Sequence, residues 1–176
     1  MDKLLTSRKV LVFAEDMYED LELWYPVLRL REEGAEVTIA GTGAEEYTGK
    51  NGHPVKVDTE VDQVQTGTFD ALVIPGGYAP DKLRRSPSVL EITREMALDG
   101  KVVAAVCHAP WVLVSAGLLE GRRTTCFPSL KDDVINAGAQ YEDAEVVRGG
   151  NFITSRQPSD LGAFCREIIQ ALVVND

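Results

Sequence analysis

Cys107 and His108 stand side by side in a chain with only three cysteines and two histidines. A thiol beside an imidazole is the pair that nucleophilic catalysis needs, one group to attack and one to move the proton. Ala105 and Ala109 flank the cysteine at minus two and plus two. Small-x-nucleophile-x-small is the steric condition for a sharp strand-to-helix turn, which the Gly-x-Ser-x-Gly elbow meets with glycines. A thiol on such a turn faces the first N–H groups of the next helix, and these positions lower a cysteine pKa from ~8.5 to between ~3.5 and ~7.5. The alternative is a small buried residue without chemistry. Cys126, read in an apolar strand, and Cys165, read on the core face of a helix, fit that description. His53 lies in a turn-rich segment and is assigned no role. Apart from 107 and 108, no pair among these five residues has ligand spacing, so no metal site is expected. An odd cysteine count without paired spacing points to free thiols and a reducing, cytoplasmic setting.

The elements that must position this pair alternate between two periods. Residues 101–106 (KVVAAV) form a continuous apolar strand running directly into the turn, and 110–116 read as the helix that follows it, closed by Gly117. Upstream, 9–14 (KVLVFA), 36–40 (EVTIA) and 69–75 (FDALVIP) are further strands, the first and third of the kind buried on both faces of a parallel sheet. Helices are expected over 19–33, stopped by Gly34, and over 87–98, opened by Ser86 and closed by Gly100. Residues 47–58 carry Gly49, Asn51-Gly52 and Pro54 and read as a hairpin at the sheet edge. A strand near 124–127, a helix near 129–137 and a second hairpin over 145–155, turning at Gly149-Gly150-Asn151, come next. The last helix carries Leu161, Phe164, Cys165, Ile168, Ile169, Leu172 and Val173 on one face. Strands alternating with helices predict an α/β sandwich around a mainly parallel sheet, with ligands bound beyond the carboxyl ends of its strands. No linker or repeat interrupts residues 1–176, which read as one domain.

With 18 basic and 28 acidic residues the net charge is −10, which disfavours nucleic-acid and membrane-surface partners. The apolar run at 10–14 is far shorter than the ~20 residues of a membrane span. Gly41-Thr42-Gly43 starts like a dinucleotide fingerprint, but Glu46 stands at the third glycine position and a hairpin follows in place of a helix. No phosphate-binding Gly-x4-Gly-Lys-Ser/Thr motif exists, and no cofactor is expected. Glu15, Asp16, Glu19, Asp20 and Glu22 crowd the start of the first helix; favourable charge at a helix N-terminus accounts for them, a hard-metal site being the alternative.

The segment AVCHAPWVLVSAG resembles the nucleophile-elbow signature of the DJ/PfpI superfamily, in its PfpI-type intracellular peptidase and deglycase branch. YEDLELWYP (18–26), VIPGGYAPDKLR (73–84) and the run over 132–161 match in order, so the resemblance covers nearly the whole chain from the first strand. It implies a flavodoxin-like three-layer sandwich with the nucleophile elbow at a strand C-terminus. It makes Cys107 the nucleophile and places Glu19 beside the sulfur as a largely protonated carboxyl. Backbone N–H groups of Gly77 and His108 would form the oxyanion hole, with Gly76 allowing close approach. In the peptidase branch a carboxylate from a neighbouring subunit orients the histidine; Asp81 matches that position, where the pattern usually carries Glu. Tyr78 stands where Arg is common, which alters pocket polarity.

Three functions are open, the first two implied by the resemblance and the third by the low thiol pKa expected at the elbow. The first is a stress-protective glyoxalase III or deglycase acting on small dicarbonyls or glycated proteins. The second is an oligomeric cysteine peptidase, and the third a redox-responsive protein whose Cys107 is oxidised. A homodimer or hexamer is implied, with Trp24-Tyr25 and the Pro-Gly-Gly loop as candidate interface elements.

Overall fold

In a computed structural model describing residues 3–174, the chain runs through eleven strands and six α-helices. In order these are β1 (Lys9–Ala14), α1 (Asp20–Glu32), β2 (Glu36–Gly41), β3 (Glu46–Thr48), β4 (Pro54–Lys56), β5 (Thr59–Glu60), β6 (Ala71–Ile74), α2 (Ala79–Leu83) and α3 (Pro87–Leu98). Then come β7 (Val102–Val106), α4 (Pro110–Ala116), β8 (Arg123–Thr124), α5 (Lys131–Asn136), β9 (Gln140–Tyr141), β10 (Val146–Gly149), β11 (Phe152–Ser155) and α6 (Leu161–Val174). Seven strands form the central sheet in the order β10-β11-β7-β6-β1-β2-β5. All its pairings are parallel except β10 with β11.

The inner strands owe their place to their composition. Every residue of β6 and β7 is buried, as are five of the six in β1. Such runs are stable only with both faces of the sheet covered. Two helical groups supply that cover: α1 packs with α6, while α4 packs with α2, α3 and α5. Ser86 accepts from the Val89 N–H at the start of α3, and Pro87 fills the first helical position, as its sequence predicts. Gly34, at φ 94°, supplies the left-handed turn out of α1.

Differences from the sequence reading fall at the periphery. The β3–β4 hairpin forms its own two-stranded sheet, and the central sheet's edge strand is the two-residue β5. The strand expected near 124–127 shrinks to β8, paired with β9 outside the central sheet, so Cys126 sits in irregular chain although fully buried. Val173, placed on the core face by periodicity, is 38% exposed near the end of α6, where the helix runs past the core. The short helix α2, directly after Gly76-Gly77, was not anticipated. Among the described residues no helix is long and apolar enough to cross a membrane.

Candidate active site

The end of β7 is where the chain turns hardest. Cys107 has φ 63°, a left-handed conformation that non-glycine residues adopt at a cost of order 1–3 kcal/mol. The turn is pinned on both sides: the Cys107 N–H donates to Ser155 O at 3.0 Å, and its own carbonyl accepts from Phe127 N–H, also at 3.0 Å. Ala105 and Ala109, both fully buried, leave room for the bend. Held this way, the thiol points into a cleft of about 310 Å³ lined by Glu19, Glu22, Lys50, Gly77, Tyr78, Cys107, His108, Phe127 and Pro158. A larger groove of about 500 Å³ along α3, between Arg85 and Leu98, shares no residue with this cleft and holds no thiol.

Backbone N–H groups of Gly77 and His108 lie near enough to the sulfur to favour its charged form. Gly77 reaches its position through φ 78° and an isolated bridge to Tyr18, and a Cβ there would lie 2.3 Å from Glu19 N and 2.6 Å from Met17 O. Gly76 is equally confined: a Cβ would meet a Glu22 carboxylate oxygen at 2.3 Å and Cys107 Cβ at 2.7 Å. The two glycines are therefore dictated by the closeness of three segments, β1–α1, β6–α2 and β7–α4.

The carboxyl beside the sulfur belongs to Glu22, and not to Glu19 as the resemblance suggested. Glu22 is fully buried one turn into α1; its Oε2 accepts from Gly76 N–H at 3.0 Å. Its Oε1 is buried without a hydrogen-bond donor, and the carboxyl lies beside Cys107: a Cβ on Gly76 would lie 2.3 Å from its Oε2 and 2.7 Å from Cys107 Cβ. Glu19, at the N-cap of α1, also faces the cleft, but its carboxylate pairs with the Lys50 ammonium and its N–H donates to Gly76 O at 3.1 Å. A carboxylate held by a cation in this way is the wrong partner for a thiolate, which needs a donor.

Burial, above all, pushes the Glu22 carboxyl up from 4.5 to about 8, with the adjacent Cys107 thiol opposing it and the charge of Glu19 adding to it. Burial and then the charge of Glu22 push the Cys107 thiol up to about 12, against the lowering pull of the Gly77 and His108 N–H groups. The depressed thiol expected from the elbow alone is thus overridden by desolvation and a neighbouring acid. The two groups titrate as a unit. The carboxyl is the first of the two to lose its proton, so at pH 7 both Glu22 and Cys107 hold theirs, and the two N–H donors face the position where charge appears on sulfur during attack.

His108 brings Nδ1 to 3.2 Å from Cys107 Sγ and Nε2 to 3.5 Å from Ser129 Oγ. It is stacked on Phe127, 5.0 Å between centroids, and meets the edge of Trp111. Burial and then the positive charge of Lys50 hold its pKa below 6.5, so the ring is neutral at pH 7. With its proton on Nε2, toward Ser129, Nδ1 is free to accept. Among the described residues no carboxylate contacts His108. Asp81 is exposed on the first turn of α2, and Tyr78 lines the cleft mouth at 68% exposure.

Lys50 was missed entirely by the sequence reading, as was Glu22 in its buried role. The sequence signal for Glu22 was present: with Leu23, Pro26, Val27 and Leu30 it follows the spacing of the buried face of α1. For Lys50 there was none, because a lysine beside a hairpin turn is ordinarily a solvated one.

Known proteins share the sequence and the fold around this site. Residues 8–171 match the model of the DJ-1/PfpI family. The protein named deglycase PfpI from Pyrococcus furiosus is 48% identical over 164 residues, 93% of this chain and 99% of its own length. A Bacillus subtilis protein named putative cysteine protease YraA is 43% identical, covering 94% and 99%. Escherichia coli protein/nucleic acid deglycase 2 is 40% identical, covering 94% and 98%. Drosophila melanogaster DJ-1beta superposes with a TM-score of 0.89 at 33% identity, covering 95% and 91%. An Anabaena variabilis protein with DJ-1/ThiJ/PfpI-like and ferritin-like domains gives 0.93 at 42% identity; the match takes in 94% of this chain and 48% of that longer one. A family model spanning residues 8–171, together with relatives 40–48% identical over nearly the whole chain, shows that the chain belongs to the DJ-1/PfpI family.

Proposed function

We propose that this protein is a cofactor-free cysteine enzyme of carbonyl defence, acting on short α-oxo aldehydes such as methylglyoxal and on the early adducts they form with amines. The observation that carries the reading is the fully buried Glu22 carboxyl set beside the Cys107 thiol at the floor of a small cleft. Sulfur adds to the aldehyde carbon, an S–C bond forms, and the carbonyl π electrons move to oxygen. Glu22, protonated at pH 7, hands its proton to that oxygen and takes up the thiol's proton in its place, yielding a hemithioacetal. The N–H groups of Gly77 and His108 lie where charge develops during attack. Neutral His108 then takes the proton from C1 of the adduct and returns it at C2, while the hydroxyl proton on the C1 oxygen passes to the C2 oxygen, giving a 2-hydroxyacyl thioester. Water cleaves the S–C bond, releasing lactate and restoring the thiol. With a hemiaminal adduct, attack at the same carbon expels the amine, which leaves carrying a proton.

The relatives named deglycases support this substrate class, and the three free cysteines suit a reducing cytoplasm. The peptidase alternative needs an acid for His108, and Asp81 could supply one only from a second copy, through a homodimer or hexamer. Its shorter side chain weakens that route. Lactate formation from methylglyoxal, measured with wild type and Cys107→Ser, tests the proposal. Wild type should turn over and Cys107→Ser should fall to background; equal rates would sink it.

A further inference from the structure

The β3–β4 hairpin is tied down far more firmly than an edge excursion needs. The Asp20 carboxylate accepts from the Asn51 N–H at 2.9 Å, the Asn51 amide at 3.2 Å and the His53 N–H at 2.9 Å. The Tyr18 hydroxyl donates to His53 O, Trp24 Nε1 donates to that hydroxyl at 3.3 Å, and the Trp24 and His53 rings meet edge to face. Lys50 N–H donates to Tyr18 O at 2.9 Å, and a Cβ on Gly49 would collide with Asp20 at 2.5 Å. All of this fixes the backbone at one residue whose side chain enters the cleft.

Lys50 is the one cation lining that cleft among the described residues. Its ammonium pairs with Glu19, yet its side chain remains 38% exposed and carries three N–H donors, more than one carboxylate consumes. The Gly77 and His108 N–H groups face the sulfur and Glu22 faces Cys107, while the Tyr78 hydroxyl stands at the mouth on a side chain 68% exposed. A substrate with oxygens on two adjacent carbons brings one of them to the sulfur-facing N–H groups. The other requires a second donor.

We propose that Lys50 is a specificity-determining residue whose ammonium takes the oxygen on the carbon next to the one Cys107 attacks. The cleft thereby prefers aldehydes carrying a vicinal ketone or carboxylate over aldehydes without one. The inference rests on thiol addition to a carbonyl as described above, and it names what selects the substrate. An anionic vicinal group gains most, because a charge-assisted hydrogen bond is roughly twice as strong as a neutral one.

Reversible addition can be read without turnover. Glyoxylate carries a carboxylate beside its aldehyde, and propanal has no second oxygen. Each forms an S–C bond to Cys107 as the carbonyl oxygen gains a proton, shielding the sulfur from iodoacetamide. Peptide mass spectrometry separates Cys107 from Cys126 and Cys165. In wild type, glyoxylate should protect at a concentration at least about tenfold below that of propanal. Lys50→Met should raise the glyoxylate concentration about tenfold and leave propanal unchanged, and Lys50→Arg should keep the preference. A Lys50→Met variant with an unchanged glyoxylate concentration, or with both aldehydes weakened equally, would overturn the assignment. Absence of methylglyoxal turnover in wild type would remove the proposed reaction, while an intact glyoxylate preference would still support Lys50.

Discussion

Replacing Glu22 with glutamine should change how stability depends on pH, by an amount that the structure sets. In the unfolded chain this carboxyl ionises near 4.5; in the folded protein burial holds its proton to about 8. Between those values the native state binds one proton that the unfolded state has lost. Stability from this group is therefore complete below about pH 4.5 and falls as pH rises to about 8. Each pH unit in that window is worth about 1.4 kcal/mol, so the whole span is worth about 5 kcal/mol. His108 works in the opposite sense, since its lowered pKa makes the folded state lose stability as pH drops below 6.5. Glutamine keeps the size of the side chain but cannot ionise, so subtracting the variant's curve from that of wild type cancels His108 and leaves Glu22 alone. Urea unfolding at fixed protein concentration, at pH 5, 6, 7 and 8, gives the two curves. The difference should move against wild type by about 1.4 kcal/mol per pH unit, about 4 kcal/mol over the series. Parallel curves would refute a proton on Glu22 at neutral pH, and with it the donor for the nascent alkoxide.

Two further perturbations test the surrounding geometry. Gly76→Ala drives a methyl group into the Glu22 carboxyl and the Cys107 Cβ, so methylglyoxal turnover should fall at least tenfold while circular dichroism stays native; unchanged turnover would mean that the contact yields freely. Gly77→Ala meets backbone atoms instead and requires φ 78° of an alanine, so urea unfolding should show a loss of about 2 kcal/mol or more. Removing the charge of Lys50 by Lys50→Met should raise the His108 pKa while burial still holds it under 6.5, moving the acid limb of kcat/KM to higher pH; proton NMR of the ring reads the same shift directly.

What was legible in the sequence was whatever periodicity or local sterics dictate. Lys9–Ala14 and Val102–Val106 are apolar without interruption and had to be inner strands, and Ala-Val-Cys-His-Ala fitted only a tight turn at a strand end. The central sheet and the nucleophile followed from those constraints. Family resemblance supplied Gly76 and Gly77, whose need for small side chains is a three-segment property no local pattern records. It also supplied the wrong glutamate. Glu19 and Glu22 are three residues apart and project from the same side of α1, so spacing cannot say which one reaches the sulfur. The difference is tertiary: Glu19 meets Lys50, brought in from a hairpin 31 residues downstream, and Glu22 meets the buried floor.

The acidic run at the start of α1 therefore has a different meaning from the one its composition suggests. Read as a cluster, five acids in eight residues are a favourable charge at a helix N-terminus. In the folded chain they do not act together. Glu15 accepts from Thr42 and Asp16 from the Thr48 N–H at 3.2 Å, and both face Lys82 of α2. Asp20 holds the hairpin, Glu19 engages the lysine that the hairpin delivers, and Glu22 accepts from Gly76 N–H beside the nucleophile. The acids make separate attachments from the end of β1 and the start of α1: Asp16, Glu19 and Asp20 to the hairpin at three different points, Glu15 to Thr42 and Lys82, and Glu22 to Gly76. Neutralising Asp20 should therefore disturb the site through Lys50, although Asp20 itself touches neither sulfur nor cleft. That dependence separates a set of individual attachments from a general helix-dipole effect, which would be indifferent to which acid was removed.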